Sequence, residues 1–154
     1  MLIRKAKISE VREISLLTQD TIRKVNAKDY SPEQIKVWKK TDTEEKVKER
    51  MQDKNRFTCI AIENNQIVGV GSLKDDEITA IYVSANYLRK GIGAKILAYL
   101  EQKAYKMGVR KLKVDSSLTA MEFYEKHGFG KIKEGFHVNS EGGKLPSIHM
   151  EKIL

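Results

Sequence analysis

The stretch Ile81-Tyr82-Val83-Ser84-Ala85-Asn86-Tyr87-Leu88-Arg89-Lys90-Gly91-Ile92-Gly93-Ala94 has the make-up of an anion site. A β-like run ends at Val83. A basic turn with two glycines then opens straight into a helix-like run. The first N–H groups of a helix have no partner within it, and the aligned peptide dipoles place about half a positive charge at that end. Glycine allows close approach to the backbone and accepts a positive φ. Arg89, Lys90 and Lys95 add full charges nearby. These features predict a pyrophosphate cradle built from the backbone of Arg89, Lys90, Gly91, Ile92, Gly93 and Ala94. Two common phosphate loops do not fit. A dinucleotide fingerprint needs a third glycine where this chain has Ile96, and its first strand should precede the motif. A Walker loop needs Gly-Lys-Ser/Thr, which does not occur.

The net charge of +8 is concentrated in the same region. Residues 89–113 hold Arg89, Lys90, Lys95, Lys103, Lys106, Arg110, Lys111 and Lys113 against Glu101 alone. For the later lysines this reads either as a solvated helix face or as part of an anion site. Only Tyr99 and Tyr105 are aromatic in that stretch and no nucleic-acid motif appears, so a nucleic-acid partner is not expected.

Proton-transfer candidates flank the cradle. Taken alone, Tyr124 reads as a packing residue beside Phe123, although a phenol with a reference pKa of about 10 stays protonated at neutral pH and can donate. Glu77 opens the strand that leads to the cradle and can accept a proton, directly or through water; a turn-solvating role beside Asp75 and Asp76 is equally open. His127, His137 and His149 are further candidates, as the residue type suited to proton transfer near neutral pH. His127 stands at a helix end, where it suits backbone carbonyls; His137 and His149 fall on the last two strands.

The segment from Ile78 to Phe129 resembles the GNAT superfamily of acyl-CoA-dependent N-acetyltransferases. The family pattern Gln/Arg-x-x-Gly-x-Gly/Ala opens a helix after a strand like Ile81-Tyr82-Val83. Downstream, Ser117-Leu118-Thr119-Ala120-Met121-Glu122-Phe123-Tyr124-Glu125-Lys126-His127-Gly128-Phe129 is similar to the family's Ala-x-x-Phe-Tyr-Glu-x-x-Gly-Phe signature. More loosely, Tyr30-Ser31-Pro32-Glu33-Gln34 with Trp38 looks like one bacterial branch. One departure stands out: the Gln/Arg position is Leu88, which keeps the backbone N–H but loses the polar side chain.

The resemblance implies acetyl-CoA as co-substrate, no metal, and direct transfer of the acetyl group to an amine of a small molecule or peptide. Tyr124 takes the place of the general acid and Glu77 is the candidate base. Arg89 to Ala94 would hold the pyrophosphate, Ile81, Tyr82 and Val83 would pair with the pantetheine arm, and Ser117 would cap the short helix or touch that arm. Tyr30, Trp38 and Tyr82 either line an acceptor pocket or belong to the core. A catalytically silent CoA-binding sensor is the alternative that Leu88 keeps open.

The elements that must position these groups follow from patterning. A strand at Leu2–Lys7 precedes a helix capped by Ser9 and running to about Val25. Ser31-Pro32-Glu33-Gln34 starts a second helix with the makings of a capping box, and Thr43–Met51 forms a third. Phe57–Glu63 and Gln66–Leu73 make a hairpin about Asn64-Asn65, followed by a strand at Ile78–Val83. The helix Gly91–Met107 is stopped by Gly108. Then come a short strand Lys111–Val114, a helix Ser117–His127, and strands near Lys131–His137 and Pro146–Ile153. This order predicts an α/β fold of the α+β type: a mixed, mostly antiparallel sheet of about seven strands with helices on both faces.

The 154 residues suit one domain, 1–154. No apolar run approaches the roughly 20 residues of a membrane span, and MLIRKAKISE lacks a signal-peptide core. Cys59 is the sole cysteine and reads as a buried small hydrophobe. A cytoplasmic setting without membrane contact is expected, and a homodimer is a possible assembly.

Overall fold

The computed structural model describes residues 1–139 and 142–154. Its elements run β1 (Leu2–Lys5), α1 (Val11–Lys24), α2 (Pro32–Lys39), α3 (Glu44–Gln52), β2 (Arg56–Glu63), β3 (Gln66–Lys74), β4 (Glu77–Val83), α4 (Ile92–Lys106), β5 (Lys111–Ser117), α5 (Met121–Lys126), β6 (Gly130–Val138) and β7 (Lys144–Ile153). The strands form one sheet in the order β1-β2-β3-β4-β5-β7-β6. Every neighbouring pair is antiparallel except β4 and β5. This is the mixed sheet the patterning predicts.

Local chemistry explains most element ends. Asn64 and Asn65 both take positive φ (51° and 60°), which gives the β2–β3 hairpin the twist its strands need. Ser31 Oγ accepts the Gln34 N–H at 3.1 Å while Gln34 Oε1 accepts the Ser31 N–H at 2.8 Å, a complete capping box for α2. Thr43 Oγ1 caps α3 by accepting the Lys46 N–H. Gly108, at φ 93°, follows the end of α4.

Two boundaries differ from expectation. Ser9 does not cap α1; a 3-10 turn at Ile8–Glu10 comes first. Glu10 Oε1 accepts the Lys7 N–H at 2.7 Å, and Arg4 grips the same carboxylate at 2.6 Å. The second shift is at β5, which continues through Asp115, Ser116 and Ser117 because these pair with His149, Ile148 and Ser147 of β7. The following helix, α5, therefore starts at Met121 and not at Ser117.

The two faces of the sheet are covered differently. Helices α4 and α5 lie on one face, where Ile96, Leu97 and Leu100 pack on Cys59, Leu112 and Met150. On the other face Val11, Ile14 and Val47 of α1 and α3 cover Ile60 and Val70, and Tyr30 and Ile35 reach Leu145. Helix α1 also buries the hydroxyls of Ser15, Thr18 and Thr21. These are satisfied by carbonyls: Ser15 donates to Asp42 O, and Thr21 Oγ1 to Val83 O at 3.3 Å. Among the described residues no helix is long and apolar enough to cross a membrane.

Helix α4 approaches β3 closely because two strand positions lack side chains. A Cβ added at Gly71 would clash with Ile96 and meet Leu100 Cδ1 at 3.1 Å and Cys59 Sγ at 3.3 Å. Gly71→Ala should therefore overpack this contact and cost about 1–3 kcal/mol. A lowered urea midpoint is the expected result; a wild-type midpoint would show that α4 can move away freely.

Candidate active site

The parallel pairing of β4 with β5 is short. Only Glu77 with Lys113 and Ile78 with Val114 are in register, although β4 continues to Val83 and β5 to Ser117. Beyond Ile78 the strands part. A bulge sits at the fork: Ser72 faces Ala80 and Leu73 faces Ile78, which leaves Thr79 as the extra residue.

Alternation along the antiparallel β3–β4 ladder sets which backbone groups face the gap. Ser84 N–H donates to Val68 O at 2.9 Å. Tyr82, two residues back, therefore also addresses β3, and Ile81 and Val83 turn their N–H and C=O groups toward the opening. The Val83 carbonyl is taken by Thr21. The opening thus retains the N–H and C=O of Ile81 and the N–H of Val83. Buried backbone groups need partners, and an extended amide-bearing chain could supply them.

Helix α4 begins beside the far end of β4. Its N-cap, Gly91, lies at φ 79° and offers no side-chain cap, unlike Ser31 and Thr43 on the preceding helices. Arg89 is also left-handed, at φ 59°. A Cβ at Gly91 would touch nothing within 4 Å, so the glycine answers to φ alone. Gly93 has a different reason: a Cβ there would lie 3.3 Å from Phe123 Cε1, so it seats α4 against α5. Leu88 is 40% exposed.

The basic stretch divides in two. Lys103 sits over the Phe57 ring and Arg110 over Tyr105, while Lys111 pairs with Glu151 and Lys113 with Asp76. These later cations have structural partners. Arg89, Lys90 and Lys95 are exposed at the start of α4, with Lys90 Nζ 5.1 Å from the Tyr87 ring centre.

Tyr124 projects from α5 into the core beside this region. It is 4% exposed and packs edge-on against Phe123 and Phe129. Its hydroxyl has no hydrogen-bond partner among the described residues. Burial pushes its pKa above the usual phenol value, and it lies near enough to Tyr82 of β4 for the two charges to interact. Ser117 Oγ accepts the Ala120 N–H at 3.1 Å, shaping the turn into α5. His127 Nδ1 contacts the Phe123 carbonyl at 2.8 Å, the helix-end role expected of it.

The opposite face of the same strands is polar. Glu77 is half-buried, and burial raises its carboxyl pKa; Asp115 adds to the rise while His137 opposes it. Asp115 holds His149 Nδ1 at 3.1 Å and lies 3.8 Å from His137 Nδ1. His149 Nε2 meets Glu151 at 3.0 Å, and this contact, with Asp115 assisting, raises the imidazole pKa. A depression of about 440 Å³ beside them is lined by Asp115, Lys133, Glu134, Phe136, Ser147 and His149. The Asp115 and Glu151 roles were not singled out from sequence. Their signal is the run of polar residues at every second position, Lys113-Asp115-Ser117 and Ser147-His149-Glu151. Among the described residues no group of His, Cys, Asp or Glu is arranged to hold a metal ion.

The aromatic candidates separate. Tyr30 is 8% exposed; its hydroxyl donates to Pro146 O at 3.0 Å and accepts the Leu118 N–H at 2.8 Å. It ties β7 to the loop before α5 and belongs to the core. Trp38 and Tyr82 are part-exposed, and Trp38 Nε1–H donates to the Tyr82 hydroxyl at 3.1 Å.

Known proteins share this fold. The chain is 31% identical over 121 residues to the uncharacterized N-acetyltransferase YafP of Escherichia coli (strain K12), covering 79% of this chain and 75% of that protein. Its fold matches the crystal structure of a GCN5-related N-acetyltransferase from Rhodopseudomonas palustris, with a TM-score of 0.92, 29% identity, and 99% and 95% of the two chains covered. The PaiA N-acetyltransferase of Thermoplasma acidophilum, solved in complex with coenzyme A, has the same fold at a TM-score of 0.81 and 21% identity over 99% and 98% of the chains. Residues 26–154 match the acetyltransferase (GNAT) domain family. The chain belongs to the GNAT family of N-acetyltransferases.

Proposed function

We propose that the chain transfers an acetyl group from acetyl-CoA to a primary amine by direct attack. The observation that carries this reading is the fork between β4 and β5, which opens beside the uncapped start of α4. The two features suit the two halves of one ligand. The N–H groups of Gly91 to Ala94, with Arg89 and Lys90, suit a pyrophosphate; the free groups of Ile81 and Val83 suit the amides of a pantetheine arm. The exposed Leu88 offers no polar contact, so phosphate binding rests on the helix end and its neighbouring cations. The PaiA relative's complex with coenzyme A supports this assignment.

In this reading the amine loses a proton to Glu77 and attacks the thioester carbonyl. The new N–C bond forms first, giving a tetrahedral oxyanion, and the C–S bond breaks as that intermediate collapses. Ile81 N–H can stabilise the oxyanion from the fork, and Tyr124 donates its proton to the leaving sulfur. The acid assignment draws on its unpartnered hydroxyl, carried by a buried side chain, and on its place in the Phe-Tyr-Glu signature. A cytoplasmic setting fits a chain whose one thiol is buried.

Two measurements test the mechanism. Tyr124→Phe should lower kcat by about a hundredfold or more while calorimetry shows unchanged acetyl-CoA affinity; wild-type turnover would remove Tyr124 from the reaction. The second concerns pH. Because burial raises the Glu77 carboxyl above the ordinary carboxylate range, kcat/KM should climb with pH through a midpoint above that range as the base ionises. Glu77→Gln should lack this limb, and a variant that kept it would assign the base elsewhere. Tight acetyl-CoA binding without turnover on any amine would instead mark the chain as a sensor.

A further inference from the structure

Charged side chains around the face that carries Glu77 are mostly paired. Asp42 is held by Arg50, Asp53 by Lys74, Asp76 by Lys113, Glu151 by Lys111 and Asp115 by His149. Glu77 and Arg56, like Lys133 and Glu134 of the depression, are exceptions: none forms an ion pair among the described residues, and Glu77 and Asp53 act on Arg56 only through space. Arg56 is half-buried and its guanidinium finds only hydroxyls, donating to Thr79 Oγ1 at 2.8 Å and approaching Ser72 Oγ at 3.4 Å. Its Nε is buried without a hydrogen-bond partner. Hydroxyls do not neutralise a cation, and a desolvated charge is costly until a counter-ion reaches it.

The register places Arg56 and Glu77 together. Arg56 lies opposite Lys74, and Lys74 opposite Glu77, so all three stand in one row on one face. With strands about 4.8 Å apart, the Arg56 and Glu77 Cα atoms are about 10 Å from each other. The guanidinium then reaches along the sheet to Thr79, the bulged residue between Glu77 and Ile81.

We propose that Arg56 is the carboxylate anchor of the acceptor site, and that the acceptor is a small amino acid whose amine is presented to Glu77. This rests on the transfer reaction given above. A zwitterion supplies both missing partners, an anion for Arg56 and an amine for Glu77. Thr79 and Ile81 are about 7 Å apart along the strand, so the amine and carboxylate must be separated by only a few bonds. The charge of +8 also disfavours a polycationic acceptor.

The test uses the full chain with acetyl-CoA and compares glycine, β-alanine and γ-aminobutyrate with their carboxamides. The best acid should exceed its amide by about tenfold or more in kcat/KM. Arg56→Gln should erase that preference by raising KM, with kcat and the KM for acetyl-CoA nearly unchanged; Arg56→Lys should recover part of it. Equal use of acids and amides, or a preference that survives Arg56→Gln, overturns the proposal. A second readout follows the Arg56 Nε–H resonance of the wild-type protein with CoA present. The acids should shift it and the amides should not; an unmoved resonance overturns the proposal. If no amine releases CoA, the transfer reading fails by itself, and this titration still decides the role of Arg56.

Discussion

Two strands that begin as hydrogen-bonded neighbours and then part leave backbone groups that must be satisfied by something else. Here β4 and β5 share two registered pairs and then separate at the Thr79 bulge. Each strand is anchored on its outer side, β4 by β3 and β5 by β7, so the fork cannot close by moving a strand. The anchors are in turn held by packing. Helix α4 rests on β3 through Gly69 and Gly71, and Tyr30 ties β7 to the loop leaving β5. The site is therefore a defect in the sheet, held open by ordinary core contacts.

In the proposed mechanism the fork also divides the chemistry between two faces. On the helix side, Tyr124 is surrounded by aromatic rings, and on the open side Glu77 stands among the histidine–carboxylate cluster. Burial shifts both groups in the same direction, toward the proton-bound form, and this suits opposite roles. A phenol held protonated remains a donor. A carboxyl whose pKa rises becomes a stronger base once ionised. Asp115 strengthens the shift and His137 restrains it, so the cluster on β5, β6 and β7 tunes the edge of β4 without covering it.

Much of this was legible in the residues because the signals were local. The Asn64-Asn65 turn, the Ser31 capping box and the glycine after α4 are each set within a few residues. So is the strand–turn–helix proposed as the cradle, where Gly91 takes the positive φ that its motif suggests. Features set by distant pairing were not legible. The extension of β5 through Ser117 needs β7, and the tie made by Tyr30 needs Pro146 and Leu118. Arg56 looked like one charge among many, because its isolation depends on what every neighbouring carboxylate has already chosen. From sequence, Gly93 reads either as part of the cradle or as a position for tight helix packing; its closeness to Phe123 supports the packing role.

Cys59 lies at the centre of the sheet, fully buried under α4, with its thiol pushed up to about 12 by burial. In the proposed reaction the chain releases free CoA, a thiol that readily forms mixed disulfides when oxidised. Exchange needs an accessible thiolate on the protein, and Cys59 has neither access nor ionisation at neutral pH. The chain is thus insulated against covalent capture by oxidised CoA, and electrophilic thiol reagents can follow CoA release without modifying the folded protein.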